Sequence, residues 1–253
     1  MGFLFLLLFA CALAIGSFLN VLILRGPHAW GLVAQGKTPD FLAPRSRCPA
    51  CQNKLGVKDL IPVLSYVLLK GKCRHCRAAI SRQYPLIEAL TGIAGLVALW
   101  AFGLTWAALA AFTFLAFLIA LGEIDRQTGF LPDWLTLPLL GLGLGVNATA
   151  LFIPFGAALI GAAVGFFSFW AIGLFYRKFR HIDALGLGDA KLLAAIGAWV
   201  GWATLPIVVL IAAGAGLAAV AIAALRGAKI TGQTAIHFGP FLALSGAIGL
   251  LVF

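Results

Sequence analysis

Residues 192–225 read LLAAIGAWVGWATLPIVVLIAAGAGLAAVAIAAL, a stretch without a single Asp, Glu, Lys or Arg. A helix needs about 20 apolar residues to cross the hydrocarbon of a bilayer. The stretch is too long for one crossing and suits two, reversing at Gly201-Trp202. Residues 1–24, 89–122, 134–176 and 230–253 are equally free of charge. The first and last of these hold one helix each. The other two hold pairs that reverse at Gly103-Leu104-Thr105 and at Ile153-Pro154-Phe155. Eight helices are therefore predicted, at about 3–24, 85–102, 106–123, 134–152, 156–176, 189–201, 203–225 and 238–253.

Composition agrees. The 253 residues are 62% hydrophobic and only 10% charged, with a mean hydropathy of +1.06. Soluble domains carry about 25% charged residues, so a water-soluble globule is excluded. The balance of 18 Lys and Arg against 8 Asp and Glu gives +10. In a soluble protein that would suggest nucleic acid; beside such apolar runs, anionic lipid is the better partner. With eight crossings, 25–84, 124–133, 177–188 and 226–237 share one side, and Lys191 lies at its edge. All 18 basic residues then fall on that side, which the positive-inside rule makes cytoplasmic. The N-terminal run has no basic segment ahead of it and is long for a signal peptide, so it reads as a membrane helix.

Residues 25–84 are the one sizeable polar segment. They carry eleven basic residues against Asp40 and Asp59, or 11 − 2 = +9. Within them lie Cys48-Pro-Ala-Cys51 and Cys73-Arg-His-Cys76. Each pair brings two thiolates to one face of a tight turn, and 21 intervening residues let a small ribbon fold back to complete a tetrahedron. Four thiolates with no spare ligand describe a closed, structural zinc site. A segment this small also lacks the apolar surface to fold by burial alone. Reduced cysteines without metal, or a redox pair, are the other readings. His75 lies inside the second knuckle and is expected to face solvent. Cys11 reads as a small apolar residue of the first helix.

Of eight acids, five lie near membrane boundaries: Glu88, Glu123, Asp125, Asp133 and Asp189. An ionisable group in a membrane segment is costly, so it tends to be paired or functional. Asp125 lies in Gly-Glu-Ile-Asp-Arg-Gln and Asp189 in Leu-Gly-Leu-Gly-Asp-Ala-Lys, at the same face and similar depth. Plainer roles are available. Asp189 reads equally as a helix N-cap preceded by turn glycines. Asp125 could pair with Arg126 or Lys191. For Asp133, an N-cap is the preferred reading.

Taken in order, these segments resemble the prepilin peptidases, or type IV leader peptidases, which are membrane aspartic peptidases of the Gly-x-Gly-Asp class. The resemblance covers nearly the whole chain. It rests on Gly16-Ser-Phe-Leu-Asn-Val21 with Arg25 and Pro27, Ser46-Arg-Cys-Pro-Ala-Cys51, Ile61-Pro-Val-Leu-Ser-Tyr66 and Gly71-Lys-Cys-Arg-His-Cys76. It continues through Tyr84-Pro-Leu-Ile-Glu88, Ile124-Asp125 with Leu131-Pro-Asp133 and Thr136, Gly186-Leu-Gly-Asp189-Ala-Lys191 and Phe238-Gly-Pro-Phe241. Gly26 departs from the larger apolar residue usual after the arginine, at no catalytic position.

The resemblance implies an all-α integral membrane protein of about eight transmembrane helices with a small cytoplasmic zinc-ribbon-like loop. Residues 1–24 would be the first helix, 25–84 the zinc-binding loop, and 85–253 a seven-helix catalytic domain. Asp125 and Asp189 would be the catalytic pair. Two adjacent carboxyl groups share one proton, so one activates water while the other polarises the scissile carbonyl. Gly186 and Gly188 would admit an extended substrate backbone beside Asp189. The implied substrates are type IV prepilins or type II secretion pseudopilins, cut at the inner leaflet of the bacterial inner membrane, with the active site at its cytoplasmic face. Many members also methylate the new N-terminal amine from S-adenosylmethionine. That cofactor is implied by resemblance alone, with Glu88 and Gly16–Asn20 as candidate residues whose packing or capping roles are the simpler reading. A protein of another class, an ion-coupled transporter or channel using boundary carboxylates, is the competing reading. The sequence does not set the oligomeric state.

Overall fold

The computed structural model describes residues 2–31, 46–180, 186–227 and 237–252. Lys37, Arg45 and Lys229, which the sidedness argument counts, lie outside these. Nine α-helices occur among the described residues: α1 (Gly2–Ala29), α2 (Leu64–Leu68), α3 (Gln83–Phe102), α4 (Trp106–Thr128), α5 (Asp133–Asn147), α6 (Phe155–Arg180), α7 (Leu187–Val200), α8 (Leu205–Leu225) and α9 (Gly239–Val252). Among the described residues there is no strand, only two isolated bridges, Arg47 with Lys54 and Lys72 with Ala79. The eight long helices stand at the eight predicted places.

Five of them, α1, α3, α4, α6 and α8, are long and apolar enough to cross a membrane. In α8 only 17% of the most apolar window is buried, so its large aliphatic side chains need an apolar medium around them. The chain is a multi-pass membrane protein. Helices α5, α7 and α9 have only 14 or 15 residues, and 14 residues rise about 21 Å, short of a hydrocarbon core of about 30 Å.

Several boundaries differ from expectation for identifiable reasons. Helix α4 continues to Thr128, so Glu123 and Asp125 stand on its last turns and not beyond its end. Helix α5 stops at Asn147, five residues early. The Asn147 carboxamide oxygen accepts hydrogen bonds from the Phe152 and Ile153 amides, and its Nδ2 donates to the carbonyl of Ala198 at 2.9 Å. One buried side chain thus closes the turn after α5 and satisfies a carbonyl at the end of α7. The short helix α2 and the 3₁₀ turn Val57–Asp59 are too brief to show periodicity in sequence.

The chain divides into two compact units, Met1–Ala120 and Leu121–Phe253. In the first, α1 packs along α3. Gly16, Gly92 and Gly95 lie at the crossing, and a Cβ on Gly16 would stand 2.8 Å from the Glu88 Cα. In the second, α7 packs against α5, α6, α8 and α9. Every residue of α7 from Ala190 to Val200 is buried except Lys191. That enclosure requires small residues: a Cβ on Gly161 of α6 would overlap the Gly197 carbonyl of α7, and a Cβ on Gly197 would overlap the Gly161 carbonyl. Gly165 lies as close to Leu193.

Gly197→Leu should therefore destabilise the protein by at least about 2 kcal/mol, the scale of overpacking a filled interior. Gly214→Ala is the control. A Cβ there meets nothing within 4 Å, and alanine is the better helix former. Thermal unfolding in detergent should show a large loss for the first variant and no loss for the second.

Candidate active site and metal centre

Asp125 projects from the last turns of α4 and is buried, with 5% of its surface exposed. Its Oδ2 accepts a hydrogen bond of 2.9 Å from the amide of Gly239, the first residue of α9. A helix begins with amides that lack intrahelical partners, and here one is spent on the carboxylate. A Cβ at Gly239 would stand 2.6 Å from that same oxygen, so only glycine lets the two segments meet this closely.

Asp189 stands in the first turn of α7, and the two aspartates interact electrostatically. The N-cap of α7 is Gly186, without a side-chain cap. The capping role open to Asp189 in the sequence is therefore not taken. Its amide donates to the Gly186 carbonyl at 3.2 Å, and its carboxylate takes a backbone hydrogen bond from Gly186. Gly186 and Gly188 have no positive φ; the backbone itself does not require glycine at either position. Gly188 is explained in part by packing, since its Cβ would lie 3.0 Å from that of Leu131. A Cβ on Gly186 would meet Asp189 Oδ2 at 3.4 Å and nothing else but the Gly188 amide within 4 Å.

The neighbouring charges are disposed so that Asp125 and Asp189 are left out of them. Arg126 donates two hydrogen bonds, of 2.7 and 2.6 Å, to Glu123. Lys191 donates to Asp133 at 2.6 Å. Both cations suggested as partners for Asp125 are thus engaged by other acids. Asp133 is not an N-cap either. Pro132 holds that position, and Asp133 is the first helical residue, paired with Lys191. His237, just before α9, lies against Gly129. Neither Gly239 nor His237 was singled out as a site residue by sequence reasoning. The quoted Phe-Gly-Pro-Phe segment was the one available signal, and proline after the glycine marks a helix start.

In the first unit the four predicted ligands converge. The sulfurs of Cys48, Cys51, Cys73 and Cys76 all lie within 4.8 Å of one another, and the Cys48 and Cys76 sulfurs are 3.8 Å apart. A tetrahedron with Zn–S bonds of about 2.3 Å has edges of about 3.8 Å, so the donor set fits that ion. The two knuckles are built alike. The Gln52 amide donates to the Cys48 carbonyl and that of Arg77 to Cys73. Gln52 and Arg77, each just after a second cysteine, take positive φ of 57° and 60°.

Without metal the four thiols are unequal. Backbone amides, Cys51's first, hold Cys48 down to about 7, and those of Cys76 and His75 lower Cys73. At Cys76 the Ala78 amide acts the same way. Burial and three adjacent sulfurs outweigh it and push the thiol up to about 11. Crowded thiols that resist full ionisation are the state a divalent cation relieves. His75 is exposed, as expected, and outside the cluster. Nearby, Arg74 bonds Asp59 at 2.7 Å and holds its carboxyl below the usual range.

Glu88 and the Gly16–Asn20 segment also come together. Glu88 Oε2 accepts from the Val63 amide at 2.7 Å, and Asn20 Nδ2 donates to the Tyr84 carbonyl at 3.0 Å. The polar loop is thereby tied to α3, and α3 to α1.

Comparison with known proteins agrees with this arrangement. Residues 10–102 match the bacterial peptidase A24 N-terminal domain and residues 112–222 the type IV leader peptidase family. The chain is 46% identical over 254 residues to the prepilin leader peptidase/N-methyltransferase of Burkholderia pseudomallei strain 1026b, covering 94% of this chain and 82% of that one. It is 43% identical to the protein of the same description from Dickeya chrysanthemi, over 98% and 92% of the two chains. The figure for Pseudomonas aeruginosa is 39%, over 94% and 87%. No solved structure matches the chain significantly. Two buried-edge aspartates, a four-cysteine knuckle pair and this extent of identity lead to one conclusion: the chain belongs to the type IV leader peptidase family.

Proposed function

We propose that the protein is a membrane aspartic endopeptidase that removes the leader from type IV prepilins or type II secretion pseudopilins and N-methylates the new N-terminal residue. The observation that carries the peptidase reading is that Asp125, buried on the last turns of α4, and Asp189, in the first turn of α7, are left over when Arg126 and Lys191 pair with Glu123 and Asp133. Family membership favours this over a carrier. The methyltransferase reading rests on the relatives' shared description. The catalytic machinery belongs to the membrane helices of 85–253, and the cysteine-bearing loop of 25–84 supports it.

Peptide hydrolysis needs a base for water and an acid for the leaving amine. Two carboxyl groups brought together at one site share a proton, and such a pair behaves as one two-step acid. The ionised carboxyl takes a proton from a water molecule whose oxygen bonds the scissile carbonyl carbon. The protonated carboxyl donates to the carbonyl oxygen. As the tetrahedral diol collapses, the C–N bond breaks, the nitrogen takes a proton from the pair, and a diol hydroxyl gives its proton back, so that the pair again holds one proton for another cycle. The Gly239 amide fixes the Asp125 rotamer throughout, a preorganisation that needs no rearrangement during reaction. Without a side chain at Gly186, an extended backbone could approach Asp189; Gly188 gives the same segment its close seat on Leu131.

Basic residues concentrated in the polar connections support a site at the cytoplasmic face of the bacterial inner membrane. A prepilin presents its leader there, with an apolar helix in the bilayer beyond the cut. Cys48, Cys51, Cys73 and Cys76 would hold zinc, which supplies cross-linking of the two knuckles and no chemistry. The positive loop would rest on anionic headgroups.

Asp125→Asn and Asp189→Asn should each lower leader cleavage of a prepilin by at least about 10³-fold without loss of thermal stability, while Glu123→Gln retains cleavage; intact mass of the product reads it. Gly239→Ala should reduce kcat by about tenfold or more with KM little changed, because it displaces Asp125 and not the substrate. Metal analysis of the purified protein should find one zinc per chain, absent from a Cys48→Ser/Cys51→Ser variant. Removing the zinc with a chelator should lower the melting temperature of the wild type and leave that of the variant unchanged.

A further inference from the structure

Four residues, Gly129 to Pro132, join the helix that carries Asp125 to α5. They are held at both ends. The Gly129 amide donates to the Asp125 carbonyl at 2.7 Å, and its φ of 69° turns the chain out of α4, as glycine after a helix end allows. The Thr128 hydroxyl accepts from the Phe130 amide at 3.2 Å. At the other end the Pro132 carbonyl accepts the amides of Leu135 and Thr136, and the buried Thr136 hydroxyl donates to it at 3.3 Å. A connection this short and this well bonded is a rigid spacer.

The same spacer meets α7 on both sides of Asp189. Before it, a Cβ on Gly188 would stand 3.0 Å from that of Leu131. After it, Lys191 donates to Asp133, the first residue of α5, at 2.6 Å. Lys191 gains nothing from α7 itself, where a cation one turn from the N-terminus is opposed by the helix dipole. Its side chain and that of Asp133 are 31% and 53% exposed, and exposed ion pairs contribute little to stability. What the pair does supply is register, because it ties the start of α5 to the start of α7. The Glu123–Arg126 pair, three residues apart within α4, has no such effect between helices.

We propose that Lys191 and Asp133 are positioning residues, which act through the spacer to set where Asp189 stands relative to Asp125. This rests on the peptidase reading of the two aspartates. Both carboxyl groups must meet one scissile carbonyl, and a misplacement of about 1 Å can cost about 100-fold in rate.

The test uses the full chain in detergent and follows leader cleavage of a prepilin to kcat and KM across pH. Lys191→Met and Asp133→Asn should each lower kcat about tenfold, with KM within about twofold of wild type and the melting temperature unchanged. The exchanged pair, Asp133→Lys with Lys191→Asp, should recover most of that loss, whereas Glu123→Gln should leave kcat unchanged. The pH profile separates position from charge. Slackened spacing weakens the coupling of the two carboxyls, so the active range should narrow in both single variants. Charge alone would move the whole range in opposite directions, toward alkali for Lys191→Met and toward acid for Asp133→Asn, and that result overturns the proposal. So does wild-type kcat in both single variants, a raised KM at wild-type kcat, or an exchanged pair that folds but cleaves no better than either single variant. Should the exchanged pair not fold, the pH profiles of the single variants decide. A wild type that leaves the prepilin uncleaved overturns the peptidase reading and this inference together.

Discussion

The contact between Gly161 and Gly197 sets what the second unit can be. A helix surrounded by α5, α6, α8 and α9 has no polar face to offer, so its sequence must be apolar all round and small where neighbours are nearest. The run Ala-Ala-Ile-Gly-Ala meets both demands. Because α7 is held this tightly, its first turn has a fixed place, and with it Asp189. The proposed site is then completed from outside the helix, by Asp125 on α4 and the amide of Gly239 on α9. Precision at the site is inherited from packing several turns away.

Much of this could be read from the sequence, because the strongest signals are the ones that bilayers and metals impose. Charge-free runs with Gly and Pro breaks located all eight long helices, including the three reversals. Cysteine spacing located the knuckles, and the four sulfurs do meet. The acids were harder. Their rarity in apolar surroundings marked Asp125 and Asp189, yet ion pairing and capping competed as explanations until the partners were visible. Lys191 turned out to belong to Asp133 and Arg126 to Glu123, pairings that depend on three-dimensional neighbours or on a local rotamer.

What remained illegible was carried by backbone. The bond from the Gly239 amide to Asp125 joins positions 114 apart, and no side-chain pattern announces it. The same holds for the Val63 amide on Glu88 and for the Asn147 contacts that end α5. Glycine was the recurrent ambiguity. Gly186 and Gly188 looked like turn residues, but neither has a left-handed backbone. Their role is the space that a missing Cβ leaves, against Leu131 in one case and beside Asp189 in the other.

The central claim is that two carboxyl groups act as one proton-sharing unit. Its most direct test is the pH dependence of kcat/KM for leader cleavage by the wild-type protein, from about pH 4 to about pH 10. A shared proton predicts a bell, in which activity requires one member ionised and the other protonated and is lost on either side. A profile governed by a single ionisation, or one that is level across that range, would contradict the account.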